Sequence, residues 1–150
     1  MVEFFLHFHL LAAIAWIGGS VFMFVLGITL RDKAKQDQVY PNIGPIFGYF
    51  ELVSLVILLV SGIAMLYGFN LVDIILSDDN TKVVRLLRLK LWMVFFVIIA
   101  TIIHFTIALK TNGKKRSRIQ QLLSRGSSMF IFLVNLAILH YAIVIRTILG

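Results

Sequence analysis

The four histidines are the residues of this chain best suited to chemistry, because all of them lie within long apolar runs. His7 and His9 occur in HFHLLAAIAWIGGS, inside a segment, residues 4–30, that contains no Asp, Glu, Lys or Arg. His104 and His140 lie in two further runs of the same kind. Imidazole binds metals and exchanges protons near neutral pH, and ionisable residues within a membrane span are usually functional or paired.

Helical geometry predicts which histidines face a common site. Along a helix, successive residues rotate by about 100° and rise by about 1.5 Å. His9 shares a stripe with Trp16, whereas His7 points elsewhere. Counted from the same end of a bundle, His9 lies about 8 Å deep, His140 about 9 Å and His104 about 21 Å. We therefore expect His9 and His140 to face one ligand, with His104 as the second choice or as a packing residue.

Haem b is the ligand that this pattern favours. Its iron takes axial imidazoles, and the 13 phenylalanines could supply apolar walls. Three cations follow the second apolar run, where they could pair with haem propionates or serve as anchors at a helix end. The predicted cofactor-binding residues are His9, His140, His104, Trp16, Arg85, Arg88 and Lys90, with His9 and His140 as the metal ligands. No catalytic residue is identified.

Copper is the alternative ligand. Cu(I) prefers thiolate or thioether ligands, but the chain has no cysteine and five methionines, none of them in a Met-x-x-Met pattern. The lack of cysteine also excludes disulfides, thiolate metal sites and covalent haem attachment. Histidine could still bind copper, so the sequence does not decide between haem iron and copper.

The elements that must position these residues are membrane-spanning helices. The chain is 60% hydrophobic with a mean hydropathy of +0.97, which is too apolar for a soluble domain of 150 residues. About 20 apolar residues cross a bilayer as a helix, and four runs meet that length. We predict one all-α domain over residues 1–150, an integral membrane four-helix bundle with helices at about 4–30, 44–71, 88–110 and 126–147.

The segments between these helices are predicted to be polar or interfacial. Residues 31–42 contain Pro41 and are typical of a loop, and residues 76–82, LSDDNTK, of a turn. Residues 83–90 are predicted to be an amphipathic segment at the membrane interface that leads into the third helix. A short interfacial helix is expected at residues 119–123.

The net charge of +7 indicates membrane topology rather than binding to nucleic acid. The loops after the first and third helices hold 9 of the 14 Lys and Arg residues, which are Arg31, Lys33, Lys35, Lys110, Lys114, Lys115, Arg116, Arg118 and Arg125. The positive-inside rule places these loops in the cytoplasm and both termini outside, N-out and C-out. Glu51 is then a solvated or Arg-paired residue near the inner end of the second helix, in preference to a proton relay.

Small residues on the first helix indicate which partners this helix could contact closely. The lipid bilayer is the expected partner of all four helices. The face formed by Gly18, Gly19 and Ser20 would allow a homo-oligomer or, instead, close packing inside the bundle. We expect a multi-pass protein of the bacterial inner (cytoplasmic) membrane, with a redox partner in the membrane or the periplasm.

Three segments resemble the CopD-like membrane proteins over nearly the whole chain. HLLAAIAWIGG, residues 9–19, is similar to the family's first helix, and ELVSLVILLVSGIAML, residues 51–66, to its second, with Gly62 in the family's glycine place. LLRLKLWMVFFVI, residues 86–98, resembles the third helix, where Lys90 matches a family lysine. The resemblance implies the four-helix core of that family and a role in copper transport or handling.

His9, Trp16 and Lys90 also match the pattern of the HemJ-type protoporphyrinogen oxidases, a related four-helix family. That resemblance implies bound haem b and a role tied to haem synthesis. The family continues its first helix with tyrosine, proline and arginine, whereas SVFMFVLGITL stands here, so the resemblance does not carry over the oxidase activity. Three functions follow: a haem b protein in electron transfer or haem-related redox chemistry, a copper-handling protein, and a non-catalytic membrane subunit with structural histidines.

Overall fold

The computed structural model of this protein describes residues 2–115 and 117–149, without the side chain of Val2. Within them, the chain forms five helices: α1 (Val2–Thr29), α2 (Lys33–Gly68), α3 (Leu71–Leu76), α4 (Lys82–Lys110) and α5 (Arg118–Leu149). All except α3 are long and apolar enough to cross a membrane. The prediction of an all-α four-helix membrane bundle is therefore confirmed. Arg116, one of the predicted loop cations, lies outside the described residues.

The long helices pack as neighbours in the order α2, α1, α5, α4. Helix α1 packs against α2 and α5, α4 packs against α5, and the short α3 contacts both α2 and α4. The connections at residues 30–32 and 111–117 lie at one end of the bundle, which we call the loop end. The start of α1, the end of α5 and all of α3 lie at the other end, which we call the terminal end. Which end faces the cytoplasm stays a prediction.

Most of the apolar surface of the bundle faces outward. Leu11 is 70% exposed, and Ile14 and Ile46 are each 73% exposed. The buried core is one small cluster that consists of Trp16, Leu55, Val97, Ala100 and Ile131. Apolar surface of this extent is not stable in water, but lipid solvates it as well as a protein core does. The exposed apolar surface thus agrees with a lipid bilayer environment.

Helix α2 begins earlier than predicted, at Lys33, so the predicted loop up to Asn42 is wrong. Asp32 caps the helix, because its carboxylate accepts a hydrogen bond of 3.0 Å from the amide two residues later. Pro41 and Pro45 lie inside the helix. Each proline removes one backbone donor, which made this segment resemble a loop, but membrane helices tolerate such interruptions.

Helices α4 and α5 continue through segments that were predicted to be separate. Helix α4 starts at Lys82, so residues 83–90 form its first turns. Helix α5 starts at Arg118 and includes the short helix predicted at residues 119–123. At the terminal end the chain leaves α2 through Asn70, whose φ of 53° lies in the left-handed region that asparagine tolerates better than most residues.

Candidate functional site

His9 lies on α1 near the terminal end and turns its imidazole toward α2. Its Nδ1 is 3.2 Å from the backbone oxygen of Leu58 and 3.0 Å from Oγ of Ser61. The Leu58 carbonyl can only accept, and the Ser61 hydroxyl already donates to the carbonyl of Ile57 at 2.6 Å, so Nδ1 carries the proton. The lone pair is therefore on Nε2, which has no hydrogen-bond partner among residues 2–115 and 117–149. This nitrogen is available for a metal or a proton.

Gly62 allows the close approach of the imidazole to α2. A Cβ at this position would lie 3.3 Å from Cε1 of His9 and 3.6 Å from its Nδ1. Small residues let membrane helices come together closely, and here the small residue lies directly under the histidine ring. A larger side chain at Gly62 would therefore displace the ring from its hydrogen bonds to Leu58 and Ser61.

Lys90 of α4 is the cation that accompanies His9. Its side chain is half-buried, and its charge is close enough to act on the imidazole. Arg85 is exposed, and the guanidinium of Arg88 donates hydrogen bonds to the backbone carbonyls of Ile75 and Ser77 at the end of α3. Lys90 lies about 200° around the helix from Arg88. The predicted group of three cations is therefore divided between two faces, and Lys90 is the one of the three whose charge acts on His9.

His140 does not face the interior of the bundle as predicted. It is exposed, and its ring centroid lies 5.7 Å from that of Tyr141. Asn135 marks the buried face of α5, and His140 lies about 140° around the helix from it. The structure therefore does not turn His140 and His9 toward a common partner. Depth along a helix, on which the predicted pairing depended, says nothing about which face the neighbouring helices will cover.

His104 is anchored in the same manner as His9 but toward the loop end, between α4 and α5. Its Nδ1 is 3.2 Å from the backbone oxygen of Ser124 and 3.1 Å from Oγ of Ser127. The imidazole is half-buried. Because the two histidines lie toward opposite ends of the bundle, they do not form one site.

Trp16 belongs to a hydrogen-bond network in the core. The side chain is 3% exposed, and its Nε1 donates to Oδ1 of Asn135 at 3.0 Å. Asn135, also 3% exposed, donates through Nδ2 to Oγ of Ser20 at 3.0 Å, and Ser20 donates to the carbonyl of Trp16 at 3.1 Å. These bonds close a ring between α1 and α5. The sequence reasoning missed Asn135, although an asparagine within the uncharged run 126–145 was the available signal.

Glu51 is a second polar residue whose surroundings the sequence did not predict. It is half-buried on α2, and its Oε1 lies 3.6 Å from the point that a Cβ on Gly19 would occupy. Within the described parts of the chain, no side chain or backbone group forms a hydrogen bond or an ion pair with its carboxyl. The expected solvated or arginine-paired carboxylate is therefore replaced by one that faces α1 inside the membrane-spanning region.

The metal-binding potential of the chain is concentrated in single imidazoles. Over residues 2–115 and 117–149, no group of three or more His, Cys, Asp or Glu side chains is arranged to hold a metal ion. A metal centre at His9 would accordingly depend on one protein nitrogen from this helix pair.

Comparisons with known proteins do not assign the chain to a family. No protein-family model matches it. Neither a curated protein nor a solved structure matches it at the significance that we required. The function must therefore be inferred from the site and from the short motifs that the sequence carries.

Proposed function

We propose that this protein is an integral membrane haem b protein, similar to a cytochrome b, that acts in electron transfer or haem-related redox chemistry. The observation that carries the proposal is the state of the His9 imidazole, whose Nδ1 is held by Leu58 and Ser61 while Nε2 is uncommitted. A histidine that ligates a metal usually donates its other ring N–H to a carbonyl or similar acceptor, which fixes the tautomer and orients the ring. For His9, the backbone carbonyl of Leu58 on α2 already accepts this hydrogen bond.

The residues around His9 fit the other requirements of a haem group. The ammonium group of Lys90 could pair with a propionate, and a cation inside a membrane span needs such a partner. Because Gly62 has no side chain, the imidazole ring fits between α1 and α2. Bound haem would supply a one-electron change at its iron. The chain itself would fix the ligand nitrogen, balance the charge and exclude water.

The resemblance of His9, Trp16 and Lys90 to the HemJ-type pattern supports the same reading. In this proposal His9 is the ligand from this chain, Lys90 is the charge partner, and Trp16 acts from the core by holding α1 in place. Arg85 and Arg88 no longer belong to the proposed site, because Arg88 binds the end of α3 and Arg85 is exposed. His104 and His140, which lie away from His9, are not needed by the proposed site.

The cellular setting is proposed from the distribution of charge. The loop end carries most of the Lys and Arg residues, so we place it in the cytoplasm of a bacterium, with the protein in the inner membrane and both termini outside. A redox partner in the membrane or periplasm would then approach the terminal end, where His9 and Lys90 lie. Gly19 and Ser20 are buried within the bundle, so Gly18 is the small residue of that face still open to a second copy.

A visible absorption spectrum of the purified protein, expressed with haem available, tests the proposal. We expect a Soret band and, after reduction, the α band of a b-type haem. His9→Ala should abolish both bands. The matched control is His7→Ala, because His7 is exposed and its Nδ1 is 2.7 Å from the carbonyl oxygen of Glu3, on its own helix. A colourless wild-type protein would refute the proposal.

Variants of the remaining histidines show, in the same experiment, which histidine holds the haem. His140→Ala should leave the spectrum unchanged, because the side chain is exposed on the outer face of α5. A spectrum that depends on His104 and not on His9 would move the site to the loop end. Copper handling, the second hypothesis, predicts a protein without haem bands that binds copper and loses that binding in His9→Ala.

A further inference from the structure

Glu51 occupies a position that no other acidic residue of this chain shares. Of the seven acidic residues, Glu51 alone is half-buried. The other six are exposed, and they are Glu3, Asp32, Asp37, Asp73, Asp78 and Asp79. Gly19, which faces Glu51, is ten residues from the end of α1 at Thr29, a distance of about 15 Å. Because a bilayer core is about 30 Å thick, the carboxyl lies near the middle of the membrane.

The space for this carboxyl is provided by the missing side chain of Gly19. A Cβ there would lie 3.6 Å from Oε1 of Glu51 and 3.2 Å from Cε1 of Phe47. The oxygens of Glu51 are unpartnered among the described residues, yet every fully buried polar side-chain atom in that part of the chain has a partner. The carboxyl oxygens are therefore not fully enclosed by protein atoms.

Among residues 2–115 and 117–149, no counter-ion lies within bonding distance of this group. On the helices of the bundle, the charged or titratable residues that flank its level are His9 and Arg31 on α1, Lys90 and His104 on α4, and Arg125 and His140 on α5. None of them forms an ion pair or hydrogen bond with Glu51 in the described residues. An unpaired carboxylate in hydrocarbon is strongly disfavoured, so a bound proton is what neutralises it.

Two serines of α2 lie along the helix between Glu51 and the level of His9. Ser54 and Ser61 follow Glu51 at helical spacings that keep all three on one stripe of the helix. Ser54 is 5% and Ser61 3% exposed, so both hydroxyls lie inside the bundle. Ser61 contacts Nδ1 of His9 directly, at 3.0 Å. Glu51 and Ser61 are ten residues apart, which is about 15 Å along the helix.

The opposite direction is closed by aromatic rings. Phe47 lies one turn from Glu51 toward the loop end and stacks on Phe22 of α1, with ring centroids 5.4 Å apart. Phe47 also contacts Phe50, with centroids 5.9 Å apart. These rings offer no polar group to a proton. Along α2, the side chains next to Glu51 are thus polar toward the terminal end and apolar toward the loop end.

We propose that Glu51 is a proton-binding site in the membrane interior that exchanges its proton with the terminal end of the bundle, along the stripe of α2 that carries Ser54 and Ser61. The site takes up H⁺ onto the carboxylate oxygen and releases it by the same polar stripe. One-sided access means that the bundle stores a proton without leaking it across the membrane. The inference does not depend on bound haem, because it uses Glu51, Ser54 and Ser61 of α2 and neither His9 nor Lys90.

Labelling with dicyclohexylcarbodiimide tests the bound proton. This apolar reagent adds to protonated carboxylic acids: the acid proton moves to one nitrogen, the carboxyl oxygen bonds to the central carbon, and the adduct rearranges to a stable N-acylurea without losing an atom. In the intact protein in lipid vesicles at neutral pH, mass spectrometry should find the label on Glu51 and not on the six exposed acids. Glu51→Gln should lose the label. An unlabelled Glu51 in the folded wild-type protein would overturn the proposal.

Infrared spectroscopy tests the route on the same vesicles. The carbonyl stretch of the protonated acid should be present in wild type, absent in Glu51→Gln, and shifted after transfer to D₂O as the proton exchanges. Ser54→Ala and Ser61→Ala should slow that shift. Thr101→Val is the matched control, because the Thr101 hydroxyl is buried and bonded within its own helix, as those of Ser54 and Ser61 are, but lies on α4 and not on the α2 stripe. If the serine variants exchange as fast as wild type and the control, the α2 route is refuted.

Haem and proton binding are tested separately by these measurements. A colourless protein with a labelled Glu51 would refute the proposed function and support the proton site. A haem-containing protein with an unlabelled Glu51 would do the reverse. A vesicle-entrapped pH dye adds a further check, since a wild-type protein that conducts protons across the membrane would contradict the one-sided access.

Discussion

Replacing Asn135 by leucine should destabilise the bundle. Asn135 is 3% exposed, and it accepts from Trp16 and donates to Ser20. Leucine has a similar volume, so the change removes the hydrogen bonds without opening a large cavity. Ser20 keeps its bond to the carbonyl of Trp16, which leaves the indole N–H as the group that loses its partner.

The size of the effect follows from these bonds. Hydrogen bonds between membrane helices contribute about 0.6 kcal/mol each on average, so the two that Asn135 makes contribute about 1 kcal/mol. A buried donor left without a partner costs about 1–3 kcal/mol, and this range already includes the loss of its bond. We therefore expect Asn135→Leu to lower the free energy of unfolding by about 1–3 kcal/mol.

Reversible unfolding in mixed detergent micelles, followed by tryptophan fluorescence and circular dichroism, measures this free energy. A double-mutant cycle with Trp16→Phe isolates the bond between the indole and Asn135, because phenylalanine keeps most of the ring and removes the N–H. The coupling should be about 0.6 kcal/mol and at most about 1.7 kcal/mol. Leu133→Ala, on the exposed face of the same helix, is the control and should have a small effect.

Two outcomes would refute this reasoning. If Asn135→Leu is as stable as wild type, the ring of hydrogen bonds between α1 and α5 is not a net source of stability. If the double mutant is additive, with no coupling beyond error, the indole and Asn135 do not interact in the folded protein, and the core must be packed differently.

Further substitutions test the helix contacts around the proposed sites. Gly62→Ala places a methyl group 3.3 Å from Cε1 of His9, so this variant should be less stable than Gly18→Ala. The added methyl group of Gly18→Ala meets nothing within 4 Å, and helix propensity should stabilise that variant by up to about 1 kcal/mol. Equal unfolding free energies of the two variants would contradict the packing at Gly62. Asp32→Ala removes the α2 cap and should cost about 1 kcal/mol. Hydrogen exchange at the first amides of α2 should rise in this variant, and unchanged protection would show that the cap is not needed.

Hydropathy and charge predicted the elements well and their ends less well. The four spans were predicted because about 20 apolar residues in a row are needed for each crossing and little else in the chain meets that requirement. The start of α2 was missed because Pro41 and the polar residues around it favour a loop on local grounds. Within the folded chain, the cap at Asp32 and the helix propensity of the following residues outweigh two missing donors.

The candidate site was predicted in part. The stripe that contains His9 and Trp16 does face the interior, and Lys90 does lie near His9. The pairing with His140 was not found, and two polar residues, Glu51 and Asn135, lie inside the bundle with roles that the sequence did not indicate. The differences at His140 and Asn135 concern a helix face, whereas Glu51 also lies deeper in the membrane than expected, because α2 begins at Lys33.

The sequence by itself determined that four helices are long and apolar enough to cross the membrane, because hydropathy is a property of one segment at a time. The tertiary structure decided which faces meet, and so joined His9 to Leu58 and Ser61, and exposed His140. The physical reason is that lipid is as apolar as leucine. The sequence of an apolar face in a membrane helix therefore does not indicate whether lipid or another helix will cover that face. Small and polar residues decide the packing.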